Sequence, residues 1–259
     1  MTKLFRFGLL FAAFCALFTR AWAADDSNET RETRVVPIDA RVVRVKLDGV
    51  IDIKLRQGDQ PSLRITGEKR DLDKLTSSQT GDTLLFEGDA GRGVRQNRSS
   101  ARAELVLPNL REVVSEGVGT TEISGFSGDE LTLTMEGAGT MRAVVDYKAV
   151  RANLGGVGKM HLSVSENDSV ELDLQGAGYI TLGGRSKLLK ATLGGLGGLN
   201  AQQLQADAVD LDLSGLGNAT VSARTSATLN LSGLGSVTVF GKPLNRNVTV
   251  DGLGKVSWK

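Results

Sequence analysis

Aromatic residues make up only 5% of the 259-residue chain, too few for a core built on large rings. Cysteine and histidine each occur once. Cys15 falls in the first 23 residues, where Lys3 and Arg6 precede an apolar run from Phe7 to Phe18 that ends at Ala21-Trp22-Ala23. That order reads as a signal peptide over 1–23, cleaved after Ala23. The run is about 12 residues, short of the roughly 20 a helix needs to span a bilayer, so no transmembrane segment is expected in the mature chain. Phe14 and the apolar residues after Cys15 do not make it a lipid-attachment site. Beyond the leader no cysteine remains, which excludes disulfides, thiol catalysis and cysteine-ligated zinc. An excess of one charge is also missing. The full chain carries +1, and loss of Lys3, Arg6 and Arg20 leaves 28 bases against 30 acids, a net −2. Nucleic acid is therefore not an expected partner.

Glycine, in contrast, is abundant at 32 residues, and half of it is periodic. Gly-aliphatic-Gly triplets begin at Gly117, Gly137, Gly156, Gly176, Gly195, Gly215, Gly233 and Gly252, at steps of 20, 19, 20, 19, 20, 18 and 19 residues. Two positions before each first glycine from Gly137 onward stand Met135, Leu154, Leu174, Leu193, Leu213, Leu231 and Val250. Four before stand Leu133, Ala152, Leu172, Ala191, Leu211, Leu229 and Val248, and between them Thr134, Asn153, Asp173, Thr192, Asp212, Asn230 and Thr249. Alternation of this kind defines a strand with one buried and one wet face. A second alternation follows each triplet, as in Val237 and Val239 or Val256 and Trp258, so the triplet marks a bend between strands.

One such unit cannot bury its apolar face alone, whereas stacked units align every column into one core. The expected fold is all-β, a right-handed parallel β-helix or solenoid with coils of about 19–20 residues spaced roughly 4.8 Å apart. Leucine-rich repeats share the period, but these units lack that motif's Asn or Cys step. Residues 24–34 read as a flexible N-terminal segment and 35–259 as a single solenoid domain. Within it, 35–110 form an irregular β cap, with turns at Gly58-Asp59 and Gly81-Asp82 and one helical turn at most over Arg70–Lys74, and 111–259 form the regular coils. Trp258 is placed to cover the last coil.

Together the stretch RVVRVKLDGVIDIKLRQGDQPSLRITGEKRDLDKL, the segments DTLLFEGD and ELVLPNL, and the LxLxxGxG coils resemble the head GIN domain of bacterial exported proteins named as auto-transporter adhesins. The resemblance covers about Val35 to Lys259. It implies a β-helical exported protein with an adhesive or surface role, in the periplasm, on the outer membrane or outside the cell, and it brings no catalytic set. Nothing after Lys259 supplies the eight or more strands of a translocator barrel, so an autotransporter in one chain is not expected.

No chemical motif competes with this reading. The triplets do not complete GxGxxG at a strand-to-helix junction and lack a following Lys-Ser or Lys-Thr. Gly155-Gly156-Val157-Gly158 and Gly194-Gly195-Leu196-Gly197 mimic a calcium-binding nonapeptide, but Met160 and Leu199 stand where its Asp belongs. His161, between Met160 and Leu162, faces outward without a nucleophile elbow. Asp173 and Asp212 share one outward column, Glu171 and Asp210 its neighbour, yet Thr192 and Lys190 separate them by two coils, about 10 Å. That spacing is marginal for a glycosidase pair. No catalytic residue, cofactor or metal site is expected.

The compositional anomaly is Gly88–Arg102 (GDAGRGVRQNRSSAR), read as a loop, with Arg92, Arg95, Arg98 and Arg102 against Asp89 alone. Guanidinium forks there are the candidate contact for acidic polysaccharide or phosphate-bearing envelope components. The expected function is that of an exported, non-enzymatic cell-envelope binding or scaffold module of adhesin type. The alternative is a carbohydrate-active β-helix enzyme acting on envelope or host polysaccharide. The sequence leaves a homo-oligomer open.

Overall fold

The computed structural model describes residues 31–88 and 101–259. Chain order gives β1 (Arg31–Val36), β2 (Arg44–Asp48), β3 (Ile51–Gln57), β4 (Ser62–Glu68), one helical turn α1 (Lys69–Leu72), β5 (Leu75–Thr80), β6 (Thr83–Gly88), β7 (Ala101–Leu107) and β8 (Glu112–Ser115). There follow β9 (Val118–Met135), β10 (Ala138–Leu154), β11 (Val157–Leu174), β12 (Ala177–Leu193), β13 (Leu196–Leu213) and β14 (Leu216–Leu231). The chain closes with β15 (Ser236–Phe240), β16 (Asn245–Val250) and β17 (Lys255–Trp258). The whole is a β-solenoid of about seven turns.

Each of β9 to β14 is one coil, bent on its way round and paired in parallel with the next. The glycine triplets break the strands and stack in register, Gly139 on Gly158 on Gly178 on Gly197 on Gly217. At these corners a carbonyl of one coil accepts from both turning amides of the next. Leu174 O takes Gly194 N at 2.9 Å and Gly195 N at 3.2 Å, so a sharp corner leaves those donors satisfied. A side chain has no room there, because a Cβ on Gly195 would strike the Gly176 carbonyl oxygen. The unequal repeat lengths are absorbed elsewhere, at register shifts such as that between Ser163 and Glu166.

The apolar columns point inward as the alternation requires. Leu133, Ala152, Leu172, Ala191, Leu211 and Leu229 are buried, as are Met135, Leu154, Leu174, Leu193, Leu213 and Leu231. The columns do not run to the end, however. Val248 and Val250 are exposed, because β16 pairs with β14 on one side and has no coil beyond it among the described residues. Trp258 is partly buried against the core, with the Arg246 guanidinium 4.4 Å from its ring centroid. It closes only part of that end.

The N-terminal region contains more solenoid than its sequence reveals. β2 lies parallel between β6 and β8, and β3 parallel between β7 and β9. Hence β2–β3 form a coil under β8–β9, with Val50 bridged to Val118 at the corner. Gly49 makes this corner at φ +137°, where a Cβ would press on the Gly88 backbone at 2.7 Å. Spatial order therefore departs from chain order: β6–β7, then β2–β3, then β8–β9. Antiparallel pairings of β1 with β4, β4 with β7 and β5 with β6 finish the structure here. The segment 24–34 was expected to be flexible throughout, but Arg31–Arg34 belong to β1, held by the ladder to β4.

Candidate functional site

The parallel register turns outward residues into rows across the strands. One row near the N-terminal end reads Arg64, Glu104, Lys54, Glu122, Arg142, His161, Thr181. Charges alternate along most of it, and Lys54 Nζ lies 3.1 Å from Glu122 Oε2. In the adjacent row Thr66, Arg102 and Asp52 are neighbours, and Asp52 Oδ1 accepts from Thr120 N at 2.8 Å. Between the rows is a cleft of about 340 Å³ lined by Asp52, Lys54, Arg102, Glu104, Thr120 and Glu122.

This cleft holds one of the four arginines singled out by sequence. Arg102 was expected in a loop spanning Gly88–Arg102, but Gly88 ends β6 and Ala101–Arg102 begin β7, fixed by pairing to β3 and β4. It shares the cleft with the carboxylates of Asp52, Glu104 and Glu122 and with Lys54. Arg92, Arg95 and Arg98 lie outside the described residues.

His161 sits half-buried on the outward row, with the cations Arg142 and Lys159 nearby. Burial first, then those two positive charges, hold its pKa below the ordinary histidine value. Among the described residues no group of three or more His, Cys, Asp and Glu side chains is placed to hold a metal ion.

Further along, the outward column Thr134, Asn153, Asp173, Thr192, Asp212, Asn230 is stacked in register. Hydrogen bonds tie it sideways. Asn153 Nδ2 donates to Thr134 Oγ1 at 3.2 Å, Asn230 Nδ2 to Asp212 Oδ1 at 2.7 Å, and Gln175 Nε2 to Asp173 Oδ1 at 2.8 Å. Arg151 donates twice to Glu171 Oε2, at 3.0 and 2.8 Å. Thr192 intervenes between Asp173 and Asp212, keeping the two carboxylates about 10 Å apart. The column is a flat polar face whose acids are engaged with amides and arginine rather than with one another.

A further surface follows from the triplets. The side chain between the two glycines points out of the coil, so Val118, Val157, Leu196, Leu216, Leu234 and Leu253 stand exposed along one corner. Beside them runs an open groove of about 510 Å³ with Gly176, Gly195, Gly215 and Gly233 in its floor. The repeat showed these aliphatic positions as a column. Whether a corner side chain faces inward depends on the direction of the bend, which spacing does not contain.

Residues 43–243 match a family model described as "Putative auto-transporter adhesin, head GIN domain". Among solved structures, a "putative adhesin" from Parabacteroides distasonis superposes with a TM-score of 0.80 at 19% identity, covering 90% of this chain and 98% of that one. A "putative adhesin" from Parabacteroides merdae gives 0.75 at 19% identity, over 90% and 97%. A "putative lipid binding protein" from P. distasonis gives 0.73 at 19% identity, over 88% and 97%. At such identity the likeness is one of fold. Nothing among the curated proteins matches.

Proposed function

Because this chain belongs to the head GIN domain family, we infer that it is an exported cell-envelope protein that works by binding, as a rigid adhesin-type display module. The observation carrying this reading is the stacked polar column from Thr134 to Asn230. Parallel pairing holds it in register over six coils, and an extended polymer can follow such a face without any coil moving. The acids along it are spaced and hydrogen-bonded in a way that suits recognition better than a concerted acid–base reaction. Acidic polysaccharide or phosphate-bearing envelope groups are the proposed ligands, with Arg92, Arg95, Arg98 and Arg102 as their contact.

The test is a screen of the chain beginning at Ala24 against envelope and host polysaccharides, reading both retention and turnover. Retention of an acidic polymer without new reducing ends is the expected result. Turnover that disappears in Asp173→Asn or Asp212→Asn would make the protein a carbohydrate-active enzyme instead.

A further inference from the structure

The aliphatic side chains at the glycine corners play no part in the core. Leu196, Leu216, Leu234 and Leu253 are 59, 53, 56 and 85% exposed, one per coil at about 4.8 Å intervals. Toward the N-terminal end the same position shrinks to Val118, Ala138, Val157 and Ala177. The open groove runs beside the first three of these four successive leucines. Its lining, Gln175, Ala177, Ser214, Leu196, Leu216, Leu234 and the glycine floor, contains no charged residue. A contiguous apolar strip of this kind marks a contact site.

Geometry restricts what can cover it. A peptide strand would need unpaired backbone donors, but the corner amides are already given to the preceding coil. Leu196 N donates to Gly176 O at 3.1 Å, Leu216 N to Gly195 O at 3.2 Å, and Gly215 N to Leu193 O at 3.1 Å. A second copy would find four leucines in a strip about 14 Å long and one side chain wide, too small for the roughly 800 Å² per partner of a stable protein interface. A single acyl chain in so open a groove would keep one side in water. A lipid layer meets every condition, since it surrounds the leucines on all open sides, asks no hydrogen bonds of the floor, and need be entered by only about 5–10 Å.

We propose that the Leu196–Leu216–Leu234–Leu253 strip lays the solenoid on its side against the apolar boundary of a lipid surface. Tyr179, exposed beside the strip, offers an amphipathic ring at the level of the headgroups. At the four leucine corners the residues flanking the triplets are uncharged except Asp251 and Lys255, one on each side of Leu253, so the flanking charges cancel and attachment rests on apolar contact. Four leucines are a modest anchor, comparable with a single lipid chain, and the attachment is reversible. This role is separate from the ligand binding proposed for the arginines, and it determines which side of the coil stack faces the membrane.

The probe is a vesicle of neutral phosphatidylcholine, with the chain beginning at Ala24 so that the apolar leader does not contribute. Flotation of the parent is expected, unchanged at about 1 M salt, where screening acts within roughly 3 Å. The quadruple variant L196S/L216S/L234S/L253S is expected to bind at least tenfold more weakly while keeping its strand circular dichroism. Independently, single-tryptophan reporters in a Trp258→Phe background locate the contact. Brominated phosphatidylcholine should quench L216W and spare T225W, which sits on the exposed far side of the same coil. A parent that does not float, a quadruple variant that floats equally, or equal quenching of both reporters overturns the proposal. So does a parent dimer that the quadruple variant loses in sedimentation equilibrium, which would make the strip a contact between copies.

Discussion

The hydroxyl of Tyr147 on β10 donates a 2.6 Å hydrogen bond to the carbonyl oxygen of Leu110, in the connection between β7 and β8. The ring is 2% exposed and packs at Gly128, where a Cβ would come within 2.8 Å of Tyr147 Cε1. One buried side chain thus ties a regular coil to the N-terminal part that closes the stack.

Removing that hydroxyl leaves a buried carbonyl without its partner. Tyr147→Phe should therefore lower stability by about 1–3 kcal/mol. Denaturant unfolding checks this, the expected change being in the midpoint with the slope unaltered.

Tyr147 also makes stability depend on alkaline pH. Burial, opposed by the Leu110 hydrogen bond, raises its pKa from 10.0 to about 12. An unfolded chain releases this proton first, so the contribution is fully present below pH 10 and is lost as pH rises toward about 12. In a Tyr179→Phe background Tyr147 is the sole phenol. Its phenolate absorbance should rise near pH 12 while folded, and a midpoint near 10 in folded protein would contradict the burial.

Two glycine substitutions should behave oppositely. Gly195→Ala places a methyl group against the Gly176 carbonyl oxygen and should cost about 2–4 kcal/mol. At Gly183 the nearest atom to an added Cβ is Gln203 Cβ at 3.7 Å, an ordinary contact. Gly183→Ala should be neutral or stabilising by up to about 1 kcal/mol. Thermal melting of both variants checks the contrast, and equal losses would mean that the corner is not tight.

Column position should set the cost of a core truncation. Leu211 is fully buried between coils, and Leu211→Ala should cost about 2–5 kcal/mol. Val248 belongs to the same column by sequence but is exposed on the last coil, so Val248→Ala should cost under about 0.5 kcal/mol. Comparable losses in denaturant unfolding would show that the last coil is covered in solution.

For the arginines, replacing Arg92, Arg95, Arg98 and Arg102 by Ser should abolish retention of acidic polymers without unfolding the solenoid. Parent binding should weaken as salt rises, because exposed charges are screened within about 10 Å at 0.1 M. Affinity unchanged in the variant, or insensitive to salt in the parent, would remove the arginines from the ligand contact.

The sequence by itself determined the coil, because its information is local. Alternation of two assigns Leu172 inward and Asp173 outward whatever lies beyond, and a glycine every 19 or 20 residues marks where the chain turns. It also held every residue of the polar column in order, since stacking equal repeats puts Thr134 beside Asn153 and Asp173 without further input. Tertiary structure decided what depends on which strand meets which. β2 could pair with any strand of like pattern, and only the assembled stack places it between β6 and β8, turning Gly49-Val50 into a corner. The same long-range pairing moves Arg102 from an expected loop into β7, among carboxylates drawn from β3 and β9. Burial of a column residue likewise requires a coil on both sides, which Leu229 has and Val248 lacks. The outward aim of Leu196 and its stacked partners rests on the bend of the corner, a property of backbone dihedrals fixed by the carbonyls of the coil beneath.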